Sequence, residues 1–413
     1  MGSKLQSRIF GAALTDPGTP YLMIVFTYPG QGSQKPGMGQ PWADHPSWEL
    51  VSEASQAAER DVEELLLHAD AATLKQTRNA QLSTFVLSMV VLDAVSRVGV
   101  EAAGHAGHSL GEYSALTASG AIDFADAVRL VTERGEAMQV AAEEREGTMA
   151  AVLGLDDDDV EIACRRVADD VWIANFNGPG QVVIAGSPEA VHQAGVVAKE
   201  LGAKRMMALP VSGAFHTPFM AAARDRLRKA VDQIEIREPQ GTVVANVDAR
   251  PHTDPLEWQG LLNAQLVSPV RWKQTVFTLA DLGFTTFVEI GPGTVLTGLA
   301  KRIVSDSRTL SVATPDDLDH MLEVLAGPPA AQVGRLEGEH LFMTERIVVS
   351  PGAGVFAAVG VTPGTTITAG HLMGKVGSLD VRSPFAGQVM GFLAVEGERV
   401  TSSQPIAWLR TEH

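Results

Sequence analysis

Short apolar runs alternate with longer segments of helical periodicity from Leu22 to about Asp316. This alternation is typical of α/β domains, in which strands and helices follow one another along the chain. The pattern predicts one strand at Leu22–Thr27, followed by a turn at 29–32. It predicts another at Thr286–Ile290, ended by a Gly-Pro-Gly turn. We therefore expect an α/β fold here.

One predicted helix, Asp123–Met138, has a charged residue on its apolar face. Asp123 is a suitable N-cap. The apolar positions on this face are Ala127, Val131 and Met138. Arg134 falls on the same face, and because an unpaired buried charge is costly, it should have an anionic partner. That partner is either a substrate carboxylate, held by the guanidinium fork, or a structural salt bridge, for example to Glu112.

The last 70 residues are rich in Val, Gly, Pro and Thr, which favours short strands and turns. A shift of 33 residues lays Ser350–Val376 over Ser383–Leu409 without a gap. Six of these 27 positions are identical: Ser350/Ser383, Pro351/Pro384, Ala353/Ala386, Gly354/Gly387, Gly364/Gly397 and Thr368/Thr401. Two similar β units predict a small, pseudo-symmetric β sandwich.

The segments that flank the α/β region differ from it in composition. A chain of 413 residues favours more than one domain. Residues 316–342 are rich in Ala, Pro, Gly and acidic residues, and we expect a linker with one short helix. Residues 1–22 lack the features of a secretory signal. We expect them to be a disordered leader, with Met23 as an alternative start.

Charge and cysteine content narrow the classes of partner. The net charge of -17 argues against nucleic acid and anionic membranes as partners. No apolar run reaches the roughly 18 residues that suggest a membrane span. The chain has a single cysteine, Cys164, which excludes an internal disulfide and fits a reducing cytoplasm. Because Cys164 belongs to no metal-ligand pattern, we expect it to have a packing role.

The segment Gly107-His108-Ser109-Leu110-Gly111 fits the G-x-S-x-G nucleophile elbow, in which a serine lies on a sharp strand-to-helix turn. Its context agrees, because Ala102–Ala106 is a short apolar run and Leu110–Ser119 is helix-forming. The helix N-terminus would offer free N–H groups to an oxyanion. A structural turn remains the alternative.

A nucleophilic serine needs a general base. Of the 11 histidines, His216 lies in a loop bounded by Gly213 and Pro218, where a site residue can be displayed. His105 and His108 are too close to the serine in sequence for the usual geometry. We expect His105 to be buried in the strand and His108 to line the pocket.

These motifs occur in an order and spacing that resemble the malonyl-CoA:acyl carrier protein transacylases of fatty acid synthesis and the related acyltransferases of polyketide synthases. The resemblance covers roughly residues 23–310. It rests on residues 30–34, 107–113, Arg134, 175–177 with 180–186, His216 and 289–293.

The resemblance implies a hydrolase-like α/β core at 23–142 and 215–315, with a ferredoxin-like insert at 143–214. It implies malonyl transfer from coenzyme A to the phosphopantetheine thiol of an acyl carrier protein, without a cofactor or metal. The implied roles are nucleophile for Ser109, base for His216, histidine orientation by the Gln265 carbonyl, oxyanion hole for the N–H groups of Gln31 and Leu110, and substrate binding for Arg134, Asn175 and Asn177.

Leu110 and Phe215 resemble the malonyl-selecting pattern of this family, and a bulky Phe215 would leave little room for an extra methyl. Coenzyme A and carrier proteins are acidic, so their binding face should be locally basic. Two candidate patches are Lys199, Lys204 and Arg205, and Arg271, Lys273, Lys301 and Arg302. Ordinary solvated charges are the alternative for each.

Residues 343–413 resemble biotinyl and lipoyl domains, which also consist of two similar β units. Such domains display a modified lysine in the hairpin between the halves. Here the hairpin, Gly377-Ser378-Leu379-Asp380, has none, and Lys375 falls in the preceding strand, equivalent to Trp408. We expect neither biotin nor lipoyl attachment, and a role in docking to a synthase or in dimer formation.

Two other functions remain open: a hydrolase that unloads acyl carriers, and a scaffold that acts through its C-terminal domain. Arg134 argues against the first, because it favours a carboxylated acyl group. The presence of Ser109, His216 and Arg134 argues against the second. The choice between fatty acid and polyketide synthesis, and the oligomeric state, are not decided by the sequence.

Overall fold

The computed structural model describes residues 23–211, 213–326 and 345–410. The chain divides into two compact units, Met1–Pro329 and Ala330–His413. The expected leader, most of the expected linker, and Ser212 lie outside the described residues.

The strands of the first unit are β1 (Ile24–Tyr28), β2 (Gly104–Gly107), β3 (Thr148–Leu153), β4 (Val171–Gly178), β5 (Gln181–Gly186), β6 (Arg205–Ala208), β7 (Thr242–Val243), β8 (Thr286–Ile290) and β9 (Arg308–Val312). A five-stranded parallel sheet in the order β7-β2-β1-β8-β9 forms the centre of this unit. In β1, β2 and β8 nearly every residue is buried, as expected for parallel strands covered on both faces.

The first unit also contains helices. They are α1 (Glu49–Ala58), α2 (Val62–Leu67), α3 (Ala71–Lys75), α4 (Thr77–Arg97), α5 (Gly111–Ala118), α6 (Phe124–Glu144), α7 (Asp157–Arg165), α8 (Pro188–Glu200), α9 (Ala221–Val231), α10 (Pro255–Gln265), α11 (Trp272–Asp281), α12 (Val295–Ile303) and α13 (Pro315–Ala326), with 3₁₀ turns at Gln40–Trp42, Pro46–Trp48 and Pro218–Met220. Helix α6 extends beyond the predicted Met138, because Ala141 and Ala142 continue its buried face. Asp123 is its N-cap residue, but its carboxylate binds Arg237 and caps no backbone N–H.

Between α6 and α9 the chain forms a second, antiparallel sheet in the order β4-β5-β3-β6. With α7 and α8 its elements follow one another as β-α-β-β-α-β, the order of ferredoxin-like units. This sheet has its own small core, to which Val152, Ile184 and Val191 contribute. These elements span Thr148–Ala208, within the expected insert at 143–214.

Helix α13 changes the expectation for the linker. A linker with one short helix is predicted to begin at residue 316, and the helix is present. However, Leu318 and Met321 of this helix are buried in the main core of the first unit. Residues 315–326 are therefore part of the first unit and not of a linker.

Among the described residues, one helix, α4, is long and apolar enough to cross a membrane. Most of this helix is buried, since 83% of its apolar 18-residue stretch lies inside the protein. It packs against α6 and carries buried polar side chains, including Gln81. These are the properties of a core helix.

The second unit contains two four-stranded antiparallel sheets, in the orders β10-β17-β15-β12 and β14-β13-β11-β16. The strands are β10 (Glu345–Val349), β11 (Gly354–Ala358), β12 (Thr366–Ile367), β13 (Leu372–Val376), β14 (Leu379–Arg382), β15 (Gly387–Phe392), β16 (Arg399–Val400) and β17 (Pro405–Arg410). Both sheets contribute to one core, which includes Val348, Phe356, Met373 and Leu409.

The 33-residue shift found in the sequence relates the two halves of this unit. It places β10, β11, β12 and β13 on β14, β15, β16 and β17, respectively. The same correspondence converts the strand order of one sheet into that of the other. Hydrogen bonds repeat as well: the N–H of Gly370 donates to the carbonyl of Ser383, and the N–H of Ser403 donates to that of Ser350. The turn between the halves is Gly377-Ser378, because Leu379 and Asp380 already belong to β14.

Candidate active site

The predicted nucleophile elbow is present, with β2 ending at Gly107 and α5 beginning at Gly111. Ser109 lies between them with φ 54°, in the left-handed region that is strained for a serine. A Cβ on Gly107 would lie 1.8 Å from Gly111 backbone atoms, and one on Gly111 would lie 2.0 Å from the carbonyl oxygen of Tyr28. Only glycine therefore permits this turn to pack against β1.

Ser109 is within hydrogen-bond distance of the predicted base. Its Oγ lies 2.8 Å from Nε2 of His216, and Nδ1 of His216 lies 2.9 Å from the carbonyl oxygen of Gln265. The carbonyl accepts a hydrogen bond from Nδ1–H, which leaves Nε2 free to accept the serine proton. All three side chains are buried. The geometry is that of a nucleophile, a base and an orienting acceptor.

The imidazole of His216 is held in its neutral form. Burial, and after it the positive charge of Arg134, lower its pKa to about 3. The carbonyl of Gln265 acts in the opposite direction by accepting a hydrogen bond from the ring. A neutral imidazole can accept a proton, so the histidine has the protonation state that a general base requires.

Asn246, at the loop after β7, fixes the backbone of the elbow. Its Oδ1 accepts a hydrogen bond from the N–H of Ser109 at 2.8 Å, and its Nδ2 donates to the carbonyl of Gly107 at 2.7 Å. Within the described residues, the N–H groups of Gln31 and Leu110 have no acceptor. The elbow therefore leaves the Leu110 N–H available while the Ser109 N–H is engaged.

Arg134 lies beside the nucleophile, fully buried on α6. Its Nη2 donates to Oγ of Ser109 at 3.1 Å and to Oε1 of Gln265 at 2.9 Å, and its Nη1 donates to Oε1 of Gln81. Across the described part of the chain, no carboxylate lies within 4.0 Å of this guanidinium, so the salt bridge to Glu112 is not formed. A buried cation with only neutral partners, aimed at the nucleophile, favours an anionic ligand.

A cavity of about 360 Å³ opens onto Ser109 and His216. Its other lining residues include Gln31, Gln81, His108, Met138, Met149, Asn175, Asn177, Phe215 and Leu299. His108 therefore lines the cavity as predicted, with Nε2 at 2.9 Å from Oδ1 of Asn177, while His105 is buried in β2 beside Tyr28. This volume suits a small acyl group with part of its carrier chain.

The two predicted basic patches differ. Lys199, Lys204 and Arg205 are exposed at the end of α8 and the start of β6, and Lys301 and Arg302 are exposed at the end of α12. Lys273 instead pairs with Asp157 at 2.5 Å, and the Arg271 Nε donates to the Val247 carbonyl. In the second patch, Lys273 is thus neutralised by an ion pair, whereas the half-buried Arg271 and the exposed Lys301 and Arg302 keep their positive charge.

Sequence reasoning missed Gln81, Asn246 and the part taken by Glu112. Gln81 was detectable as a polar residue on the apolar helix α4, and Asn246 as the polar residue that ends the apolar run 243–245. Cys164 is buried as expected. Among the described residues, no cluster of His, Cys, Asp and Glu is arranged to hold a metal ion.

Comparison with known proteins agrees with this geometry. Residues 25–343 match the family model described as acyl transferase domain. The malonyl CoA-acyl carrier protein transacylase of Bacillus subtilis is 39% identical over 307 residues, which cover 73% of this chain and 97% of that protein. The corresponding protein of Escherichia coli K12 is 42% identical over 306 residues, 73% of this chain and 99% of that protein.

Solved structures give the same result. An acyl carrier protein S-malonyltransferase from Vibrio cholerae is 40% identical, with a TM-score of 0.70, and the match covers 72% of this chain and 99% of that one. A malonyl-transacylase in complex with its type II polyketide synthase acyl-carrier protein is 39% identical, with a TM-score of 0.71, covering 73% of this chain and 99% of that one. The chain belongs to the acyl transferase family, among the malonyl CoA-acyl carrier protein transacylases.

Proposed function

We propose that this protein transfers malonyl from malonyl-CoA to the phosphopantetheine thiol of an acyl carrier protein through an ester on Ser109. The observation that carries this function is the buried guanidinium of Arg134, which donates to Oγ of Ser109 and has no carboxylate partner among the described residues. A malonyl carboxylate supplies a directly bonded anionic partner for this guanidinium. An acetyl group has no carboxylate and cannot supply one.

The first half-reaction begins when Nε2 of His216 accepts the proton of Ser109 and Oγ attacks the thioester carbonyl. The N–H groups of Gln31 and Leu110 donate to the oxyanion of the tetrahedral intermediate. The C–S bond then breaks, and the coenzyme A sulfur takes the proton from His216. Malonyl remains esterified to Ser109.

The second half-reaction reverses these steps with a different thiol. His216 accepts the proton of the phosphopantetheine thiol, and the sulfur attacks the ester carbonyl. Oγ leaves and regains its proton from His216. Arg134 binds the malonyl carboxylate throughout, while Asn175, Asn177 and Phe215 shape the cavity. This chemistry needs no cofactor or metal, because serine and histidine perform every proton and acyl transfer.

The partner is an acyl carrier protein of fatty acid or polyketide synthesis, in the cytoplasm. Such carriers are acidic, and the exposed residues Lys301 and Arg302, together with Lys204 and Arg205, offer them positive charge on a chain whose net charge is -17. Like-charge repulsion by the rest of the surface favours docking at these patches.

For the second unit, we propose a biotinyl/lipoyl-like domain at 343–413 that carries neither group. The turn between its halves, Gly377-Ser378, has no lysine, and Lys375 lies in β13 beside Asp380, at 3.7 Å. We propose that the second unit serves either to dock the protein to a synthase partner or to form a dimer. Intact-mass measurement of protein from its native host tests this, since an added biotin or lipoyl mass would contradict it.

The catalytic proposal is tested by intact mass after brief exposure to malonyl-CoA, beside acetyl-CoA and methylmalonyl-CoA. We expect a malonyl adduct that is absent in Ser109→Ala. A stronger adduct from acetyl-CoA would refute the role of Arg134. Coenzyme A release without any adduct or carrier loading would indicate a hydrolase instead.

A further inference from the structure

We propose that Glu112 is a positioning residue that fixes the nucleophile elbow and the orienting residue Gln265 in one arrangement. Glu112 lies in the first turn of α5 and is completely buried, although it is a carboxylic acid. It takes no direct part in the proton and acyl transfers at Ser109 and His216. This inference rests on the proposed function, because it concerns the same site.

The carboxylate of Glu112 joins two segments that are distant in sequence. Its Oε1 accepts a hydrogen bond from the N–H of Asn246, and its Oε2 accepts one from Nε2 of Gln265, both at 2.6 Å. These are short bonds of the charge-assisted kind. The N-terminus of α5 adds favourable electrostatics for a negative charge in this position.

Each partner of Glu112 in turn contacts a catalytic group. Asn246 holds the backbone of Ser109 through its side-chain amide. Gln265 accepts the Nδ1–H of His216 with its carbonyl and donates from its side chain to the carbonyl of Ser109 at 2.8 Å. Ser109 and His216 are therefore each connected to the Glu112 carboxylate through one intermediate residue, Asn246 or Gln265.

Glu112 also determines which way the amide of Gln265 points. Because Nε2 of Gln265 donates to Glu112, its Oε1 is directed at the guanidinium of Arg134. A reversed amide would place an N–H₂ group against that cation and an oxygen against the carboxylate. The ionised Glu112 thus excludes the reversed arrangement, in which Arg134 would lose an acceptor.

The arrangement needs an ionised carboxylate, since both oxygens accept from N–H donors. Burial raises the pKa of Glu112 to about 7, while the N–H of Asn246, the amide of Gln265 and the charge of Arg134 oppose that rise. The other ionisable groups that face it are Asp248, Tyr113 and, beyond Gln265, His216. The pKa of His216 is far lower, and that of Tyr113 is raised to about 12.

The test is the pH dependence of Ser109 malonylation, followed by rapid quench and intact mass for the wild type, Glu112→Gln and Glu112→Asp. In the wild type we expect the rate to fall as the pH decreases through about 7. In Glu112→Gln, the side-chain NH₂ group would face one of the two N–H donors, Asn246 or Gln265, and could not accept its hydrogen bond. We therefore expect a reaction that is roughly 10- to 100-fold slower. Its rate should also be independent of pH over this range.

The control is Glu53→Gln, an exposed position on α1, which should match the wild type. A merely structural role for Glu112 would lower the rate of Glu112→Gln but leave the shape of its pH profile unchanged, and this result would overturn the proposal. If Glu112→Gln does not fold, Glu112→Asp provides the test. A malonylation rate and a midpoint of the pH profile that both equal those of the wild type would contradict the positioning role. If the wild type itself forms no malonyl ester, the proposed function fails, whatever the variants do.

Discussion

Ser109 and His216 form a hydrogen bond of 2.8 Å between Oγ and Nε2, and both have a left-handed backbone, with φ 54° and 61°. Only five non-glycine residues of the described chain have this conformation. The strain at both positions is compensated by buried contacts: Asn246 accepts a hydrogen bond from the N–H of Ser109, and the carbonyl of Gln265 accepts one from the ring of His216.

Because Ser109 and His216 act as a unit, their substitutions should not be additive. We expect Ser109→Ala and His216→Ala each to slow malonyl transfer by roughly 10³-fold or more, and the double variant to be no slower than Ser109→Ala alone. Steady-state transfer to a carrier protein measures this. Multiplied effects in the double variant would show that the two residues act independently.

Arg134 should determine the preference for a carboxylated acyl group. We expect Arg134→Ala to slow malonyl loading at least about 100-fold, because each charge-assisted hydrogen bond contributes about 1.5–3 kcal/mol. Acetyl loading, which makes no such bond, should change much less. Arg134→Lys should also lose most malonyl loading, since a lysine lacks the planar fork.

The matched control for Arg134 is Arg129→Ala on the same helix. Arg129 is exposed and pairs with Asp126, so its loss should leave both loading rates unchanged. Rates are compared by intact mass at several times of exposure to each acyl-CoA. Equal losses of malonyl and acetyl loading in Arg134→Ala would indicate a structural role.

Motifs and resemblance identified residues that the structure brings together at this cavity, but not the hydrogen-bond network behind them. Ser109, His216, Arg134 and Gln265 are each identifiable from local sequence and resemblance, and the structure brings them together. Gln81, Asn246 and Glu112 meet these residues only because separate helices and loops pack at the same sheet edge. Such contacts have no spacing signature in the chain.

In the fold as well, some features could be predicted from local sequence and others could not. The strands at Ile24–Tyr28 and Thr286–Ile290 were predicted within two residues at each end, because buried parallel strands are continuous apolar runs. The strand order and the membership of α13 in the first unit were not predictable. Composition suggested a linker there, but Leu318 and Met321 have apolar partners only in the folded core.

Phe215 should limit the size of the acyl group. It is buried beside His216 and lines the cavity with Met138 and Met149. We expect Phe215→Ala to raise loading from methylmalonyl-CoA relative to malonyl-CoA by roughly 10- to 100-fold, since one methyl group in a pocket is worth about 1–3 kcal/mol. Competition between the two donors, resolved by adduct mass, measures the ratio. Phe277→Ala, at an exposed position, should not alter it.

The glycines of the elbow should be essential for stability. A Cβ on Gly111 would lie 2.0 Å from the Tyr28 carbonyl oxygen, so Gly111→Ala must displace the strand or the helix. We expect a loss of at least about 1–3 kcal/mol in the free energy of unfolding. Gly298→Ala, on an exposed helical position with no atom within 4 Å, should gain about 0.5–1 kcal/mol. Urea unfolding of both variants separates these cases.

The stability difference between the wild type and Glu112→Gln should depend on pH in a defined direction. The folded wild type holds a proton on Glu112 up to a pKa of about 7, whereas the unfolded chain releases it near the ordinary glutamate pKa of 4.5. Between these values the native state binds more protons, so the wild type should lose stability relative to Glu112→Gln as the pH rises. The loss is about 1.4 kcal/mol per pH unit at most and ends near pH 7.

Other titrating groups, His216 among them, are common to both proteins and cancel in this difference. Urea unfolding of the two proteins from about pH 4.5 to 8 measures it, with Glu53→Gln as the control that should show no trend. A difference that is constant with pH would mean that Glu112 has an ordinary pKa in the native protein. It would also show that the two hydrogen bonds from Asn246 and Gln265 offset the full cost of burying the charge.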